Sequence, residues 1–129
     1  MSINAQLLPL KAFLKSGWHN LKTRSRRQHM RLADPDNVCV SYGHEHVPTL
    51  NEYAQGGMVK FQWMQTTYPN SPNHFNMMYM VSSQPPEGAN HLGRTAKKIG
   101  AHLIWNQNGV AYPGWYGERW KVRNAAMAK

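Results

Sequence analysis

The segment Phe75-Asn76-Met77-Met78-Tyr79-Met80-Val81 is apolar or aromatic at every position but Asn76. A strand with one wet face alternates apolar and polar side chains; a run without alternation has no face to give to water. Its length suits a strand rather than a helix, so it is expected to lie buried on both faces, in a parallel sheet covered by helices. Two shorter runs of the same character flank it, Val38 to Tyr42 (ending at Gly43) and Ala101 to Trp105. Helical spacing lies between them. Met58, Phe61, Met64 and Tyr68 fall on one side of a helix that Pro69-Asn70-Ser71-Pro72 stops. Ala89, Leu92, Ala96 and Ile99 mark a second, with Lys97 and Lys98 in its last turn and Gly100 as its stop. Glu118 to Lys129 is helix-prone.

The order β-α-β-α-β-loop-α places the chain in the α/β class. The expected architecture is a partial Rossmann-like three-layer unit. Its parallel sheet has strands at about 38–42, 75–82 and 101–106, right-handed crossovers, and an added N-terminal amphipathic helix. Three strands leave two outer edges in need of cover. The last helix leads to no further strand, so this stretch reads as part of a larger domain.

Charge divides the 129 residues unevenly. The formal net charge is +9, yet residues 1–33 hold seven of the 15 Lys and Arg and none of the six acids. The remainder carries eight basic and six acidic side chains, a net of +2. Residues 1–33 are therefore read as a basic arm, and 34–129 as an incomplete Rossmann-like domain. The Ala33-Asp34-Pro35-Asp36-Asn37 turn signal lies between them. Leu7, Leu10, Leu14, Trp18 and Leu21 recur at helical spacing within the arm. Lys11, Lys15, Trp18, Lys22, Arg24, Arg26 and Arg27 give it the composition of an interfacial membrane helix. The competing reading is a helix packed on its own domain with a solvated basic tail. Nucleic acid is not expected, because the domain itself is near neutral and Trp18 is the arm's main stacking residue. No run of about 18 apolar residues suggests a transmembrane helix, and Lys11 and Lys15 interrupt any secretory apolar core. A single cysteine, Cys39, excludes an internal disulfide and zinc held by cysteines, and fits a cytoplasmic location.

Site chemistry concentrates in loops at strand ends. Gly56-Gly57 precedes the first crossover helix, where backbone N–H groups and the helix dipole favour an anion such as a diphosphate. The alternative is a plain turn. Lys60 follows one turn later, as anion support or as an ordinary solvated lysine. His44 and His46 form an H-x-H pair, but no third ligand is spaced to complete a site, so no metal is expected. Glu45, Glu87 and Glu118 fall in loops, and no acid–base pair is assignable. Asn106, Gln107 and Asn108 offer donors and acceptors, while Tyr112, Trp115 and Tyr116 offer flat apolar faces. That mixture matches a sugar, or an ordinary loop packed by its aromatics.

Three blocks also resemble a known family, in order and spacing. They are Gly56-Gly57-Met58-Val59-Lys60-Phe61-Gln62, then Asn76-Met77-Met78-Tyr79-Met80-Val81-Ser82-Ser83, then Trp105 through Trp115 with Asn106-Gln107-Asn108-Gly109 and Tyr112-Pro113-Gly114. Together they resemble the N-terminal part of retaining GT-B glycosyltransferases, the bacterial glycosyl transferase group 1 (family 4-like) proteins, over roughly residues 38–129. The resemblance implies two Rossmann-like domains around a cleft, and transfer of a sugar from a nucleotide-sugar co-substrate to an acceptor. It implies a donor-phosphate loop at Gly56 and Gly57. It implies acceptor or cleft contacts at Asn106, Gln107, Asn108, Gly109, Tyr112 and Trp115. No tightly bound cofactor is implied, and the basic helix resembles the membrane-surface arms of such enzymes, on the inner membrane face. The catalytic residues are not identified. The donor-site carboxylates and the C-terminal domain are not in this sequence, so the expectation is a truncated enzyme, inactive by itself and lacking that partner domain. The non-enzymatic alternative is a carbohydrate- or partner-binding module at a membrane surface.

Overall fold

A computed structural model describes residues 3–107, 114 and 117–127. In chain order the elements are α1 (Ile3–His29), β1 (Arg31–Leu32), β2 (Val40–Ser41), α2 (Gly57–Met64), β3 (His74–Phe75), β4 (Met77–Val81), α3 (Ala89–Lys98), β5 (His102–Asn106), a 3-10 turn (Gly117–Arg119) and α4 (Trp120–Met127). Strands β2, β4 and β5 form a parallel sheet in that order, with Met77 through Val81 opposite His102 through Asn106. The fold is α/β with helices on both faces, as expected, and no described helix is long and apolar enough to cross a membrane.

β4 is central, and its alternation divides the core in two. Met78 and Met80 face Leu92 and Ala96 of α3, with Met30 from the end of α1 and Leu103 and Trp105 of β5. Met77, Tyr79 and Val81 face the other way, toward Phe61 of α2, Val40, Tyr42 and Val47. Both sides of β4 are thus covered, which is why its sequence lacks polar alternation. Phe61 packs at 4.9 Å from Tyr42 and edge-on to Tyr79 at 6.2 Å between ring centres.

This division corrects one expectation. Two successive parallel steps in the same direction across a sheet are both right-handed only if their helices share a face. Here α2 and α3 lie on opposite faces, so the two crossovers differ in hand and one departs from the usual rule. α3 is held on its face by α1, with which it shares the Met30 cluster. The α2 connection takes an indirect path. It first returns to the outer edge of β2, where Ser71 N–H donates to the Val40 carbonyl at 2.8 Å, and only then reaches β3. That segment covers one edge of the sheet. The outer edge of β5 has no strand partner among the described residues.

Local chemistry explains the element ends. The run expected as one strand from 75 to 82 is two, β3 and β4, separated at Asn76. The Asn76 carboxamide accepts from Cys39 N–H at 3.1 Å and donates to the Asp34 and Asn37 carbonyls at 2.8 and 2.6 Å. It holds the 34–37 turn, and β1, which pairs with β3, precedes that turn. α3 ends in a Schellman arrangement: Gly100 N–H donates to Lys97 O and Ala101 N–H to Ala96 O, with Gly100 at φ +89°. α2 stops at Met64, earlier than Pro69 suggested, because the chain turns through residues 65–68.

α1 spans 27 residues, about 40 Å at the α-helical rise. Ser16, His19, Thr23, Arg26 and Met30, spaced 3, 4, 3 and 4, are the positions that meet the domain. Ser16 reaches His91 of α3, His19 reaches Glu87, and Met30 is buried in the core. Leu10, Leu14, Trp18 and Leu21 lie on the opposite side and are exposed, as is Phe13. Met30 and Ala33, on the stretch that follows α1, are both buried. α1 is anchored on the domain through its C-terminal half.

Candidate functional site

Parallel strands deliver their following loops to one end of a sheet, the C-terminal end, where α/β domains bind ligands. β2 delivers Gly43, His44 and Glu45 there, and β4 delivers Ser82 through Gly88. Asn106 ends β5. Two of the expected site positions, Gly57 and Asn106, meet around Val81. Asn106 is Val81's neighbour in register, and its carbonyl accepts Ser82 N–H at 2.9 Å. Its side-chain amide donates to the Tyr79 hydroxyl at 2.7 Å. A Cβ on Gly57 would collide with Val81 Cγ2 and stand 3.0 Å from Ser83 Oγ. Gly57 is therefore required for α2 to approach β4 this closely. Gly56 sits at φ +56°, a region that glycine tolerates. The N–H groups of Met58 and Val59 donate to the Gln55 and Gly56 carbonyls at 3.2 and 3.3 Å, so two of the first helical donors are already engaged. Gln107 is exposed. The expected contacts at Asn108, Gly109, Tyr112 and Trp115 lie outside the described residues.

The paired histidines separate. His44 is half-buried, and its Nε2–H donates to the Gln84 carbonyl at 3.2 Å. Burial holds its pKa below the ordinary histidine value; the Gln84 bond opposes the shift and Arg26 adds to it. His46 is exposed and lies 3.0 Å from Glu52. They diverge because β2 ends at Ser41, before strand geometry could align them. Among the described residues no three metal-ligating side chains converge.

The basic arm divides into residues that face water and one that does not. Lys11, Lys15 and Arg24 are exposed. Lys22 pairs with Glu87 at 3.1 Å and sits 5.2 Å from the Trp18 ring centre. Arg27 bonds back along its own helix, to Thr23 and Asn20. Arg26 departs from the membrane-facing set. Its guanidinium points into the domain, where Nη1 donates to the Gly43 carbonyl at 2.6 Å. Desolvation by burial lowers its pKa, with Glu45 opposing.

Between α1 and the loops after β2 and β4 lies a cavity of about 180 Å³. Its walls include Lys22, Thr23, Arg26, His44, Glu45 and Glu87. The sequence named most of these residues, but for other reasons and in separate places. Their meeting depends on how α1 docks, and no motif records that. Comparison with family models, with curated proteins and with solved structures returns no match.

Proposed function

We propose that this chain forms the acceptor-side wall of a glycosyltransferase that uses a nucleotide-sugar, with Gly56 and Gly57 beside the donor phosphates. The observation that supports the reading is the convergence of the three family-like blocks. Gly57, Val81 and Asn106 come from separate blocks and adjoin at the C-terminal end of a parallel sheet. Asn106 and Gln107 contribute amides suited to sugar hydroxyls. The test is saturation-transfer NMR of the chain with free hexoses and with uridine- and guanosine-diphosphate sugars. Saturation of sugar-ring protons is expected, and Asn106→Ala should lose it. Absence of any ring-proton saturation across the panel would reject the reading.

A second reading concerns location, and α1 favours it. Leu10, Phe13, Leu14, Trp18 and Leu21 form an exposed apolar stripe on the side away from the domain, flanked by Lys11, Lys15, Lys22 and Arg24. An apolar stripe with cationic margins suits the surface of an anionic bilayer, with the helix lying in the interface plane. In that arrangement the inward face of α1 stays on the domain while the stripe enters the lipid. Co-sedimentation with anionic vesicles tests it.

A further inference from the structure

We propose that the open groove between α1 and α3 is a headgroup site, which takes the phosphate of an anionic phospholipid on Arg24 and Arg27 while the acyl chains lie on the apolar stripe. The inference rests on the membrane-surface reading of α1 and adds to it a defined site for one class of lipid. The groove holds about 420 Å³. Asn20, Leu21, Arg24, Arg27 and Gln28 of α1 line it, with Thr95 of α3 as the facing wall. Two of these six side chains are cations and none is acidic.

The place of the groove on the helix ties it to lipid. By helical spacing, Asn20, Arg24 and Arg27 form one flank of α1, between the apolar stripe and the row that meets the domain. Lys11, Lys15 and Lys22 form the other flank, and Lys22 is already paired with Glu87 at 3.1 Å. Leu21 belongs to both the stripe and the groove, so the apolar face runs into the cationic flank without a break. A helix lying in the interface with its stripe among acyl chains carries its flanks at the depth of the headgroups. The arginine flank has α3 beside it, which makes a walled site of what would otherwise be a diffuse charge.

Both arginines lack a carboxylate partner among the described residues. Arg24 is exposed and makes no hydrogen bond there. Arg27 is half-buried and is held by its own helix: Nε donates to Thr23 Oγ1 at 3.2 Å, and Nη2 to Asn20 O at 2.9 Å and to Asn20 Oδ1. Its Nη1 has no hydrogen bond among the described residues and is open to solvent. A guanidinium already held in place loses little freedom when a phosphate oxygen arrives. A free phosphate would meet the same charges without the apolar contact, and exposed charges alone bind weakly in salt. The acyl chains on Leu21 and the stripe supply the remainder, so the occupant is a lipid.

The test uses the full chain, labelled with nitrogen-15, titrated with short-chain phosphatidylglycerol below its micelle concentration. Parallel titrations use short-chain phosphatidylcholine and inorganic phosphate. Saturable shifts of the Arg27 Nε–Hε resonance and of the Leu21 and Thr95 amides are expected with phosphatidylglycerol alone. Arg24→Lys with Arg27→Lys keeps the charge, loses both planar groups, and should weaken that binding roughly tenfold. Arg24→Gln changes one exposed residue without hydrogen bonds; it should weaken binding roughly threefold or more and keeps the test decisive if the double variant fails to fold. Lys11→Gln with Lys15→Gln should leave the short-chain titration unchanged. Equal losses in the lysine and arginine variants would reduce the site to diffuse charge and overturn the proposal. Equal saturation by inorganic phosphate would also overturn it, by assigning the groove to a soluble anion. Vesicle binding without any groove response would reject the headgroup site and leave the membrane reading standing, whereas loss of both responses would reject the two together.

Discussion

Replacing Leu14 and Trp18 together by serine should abolish vesicle binding without weakening the fold. The two side chains are 61% and 57% exposed, and both face away from the domain. Full burial of a large apolar side chain is worth about 1.5–3 kcal/mol, so moving the exposed part of each into lipid contributes roughly 1–2 kcal/mol. The pair then accounts for about 2–4 kcal/mol, which is a loss of roughly 30-fold or more in partitioning. The contact Trp18 makes with Lys22 is an exposed cation–π pair worth about 0.5 kcal/mol. Folding stability should therefore change by no more than about 0.5 kcal/mol. Co-sedimentation with phosphatidylglycerol vesicles measures the first quantity, and a urea unfolding curve measures the second. Unaltered partitioning would refute the lipid role of the stripe. A marked drop in the urea midpoint would instead show that the stripe is packed, contrary to the docking of α1 described above. Replacing Lys11 and Lys15 by glutamine should weaken the same binding by about 1 kcal/mol each at low salt, with the difference shrinking as salt is added.

Three further outcomes follow from the domain itself. Gly57→Ala should destabilise the fold by roughly 1–3 kcal/mol through overpacking against Val81 and Ser83; a melting temperature equal to wild type would mean that Gly57 is not needed for packing. Asn76→Ala removes two hydrogen bonds to the 34–37 turn and one from Cys39 N–H, a loss of about 2–4 kcal/mol, and Asn76→Asp should not rescue it because the two donors remain absent. His44 has a folded-state pKa below its unfolded value, so the unfolded chain binds the extra proton. Its stability contribution is full above the unfolded value near 6.5 and falls as pH drops toward the folded-state pKa. Thermal unfolding followed from about pH 8 down to 5 should show this decline, and His44→Gln should flatten it; an identical decline in the variant would place the titration elsewhere. Glu52 and Glu87 have lowered pKa values and add a separate, more acidic limb, lost only as pH falls through the carboxylate range.

Much of the architecture follows from local chemistry that a sequence displays. The unalternating run at 75–81 required cover on both faces, and the structure supplies α2 on one and α3 with α1 on the other. Gly100 stopped α3 where a left-handed residue was needed. The helical period of Leu10, Leu14, Trp18 and Leu21 identified α1 as a helix. Period, however, reports which residues share a face and not which face meets the rest of the chain. α1 docks through Ser16, His19, Thr23 and Arg26, a polar row that apolar periodicity passes over, and this turned Arg26 from a surface charge into a donor to the Gly43 carbonyl. Likewise, which sheet face a helix covers is a long-range matter: α3 joins α1 on one face and α2 takes the other. The 180 Å³ cavity has the same origin: its walls come from residues 22–26, 43–45 and 86–87, and only tertiary packing brings them together.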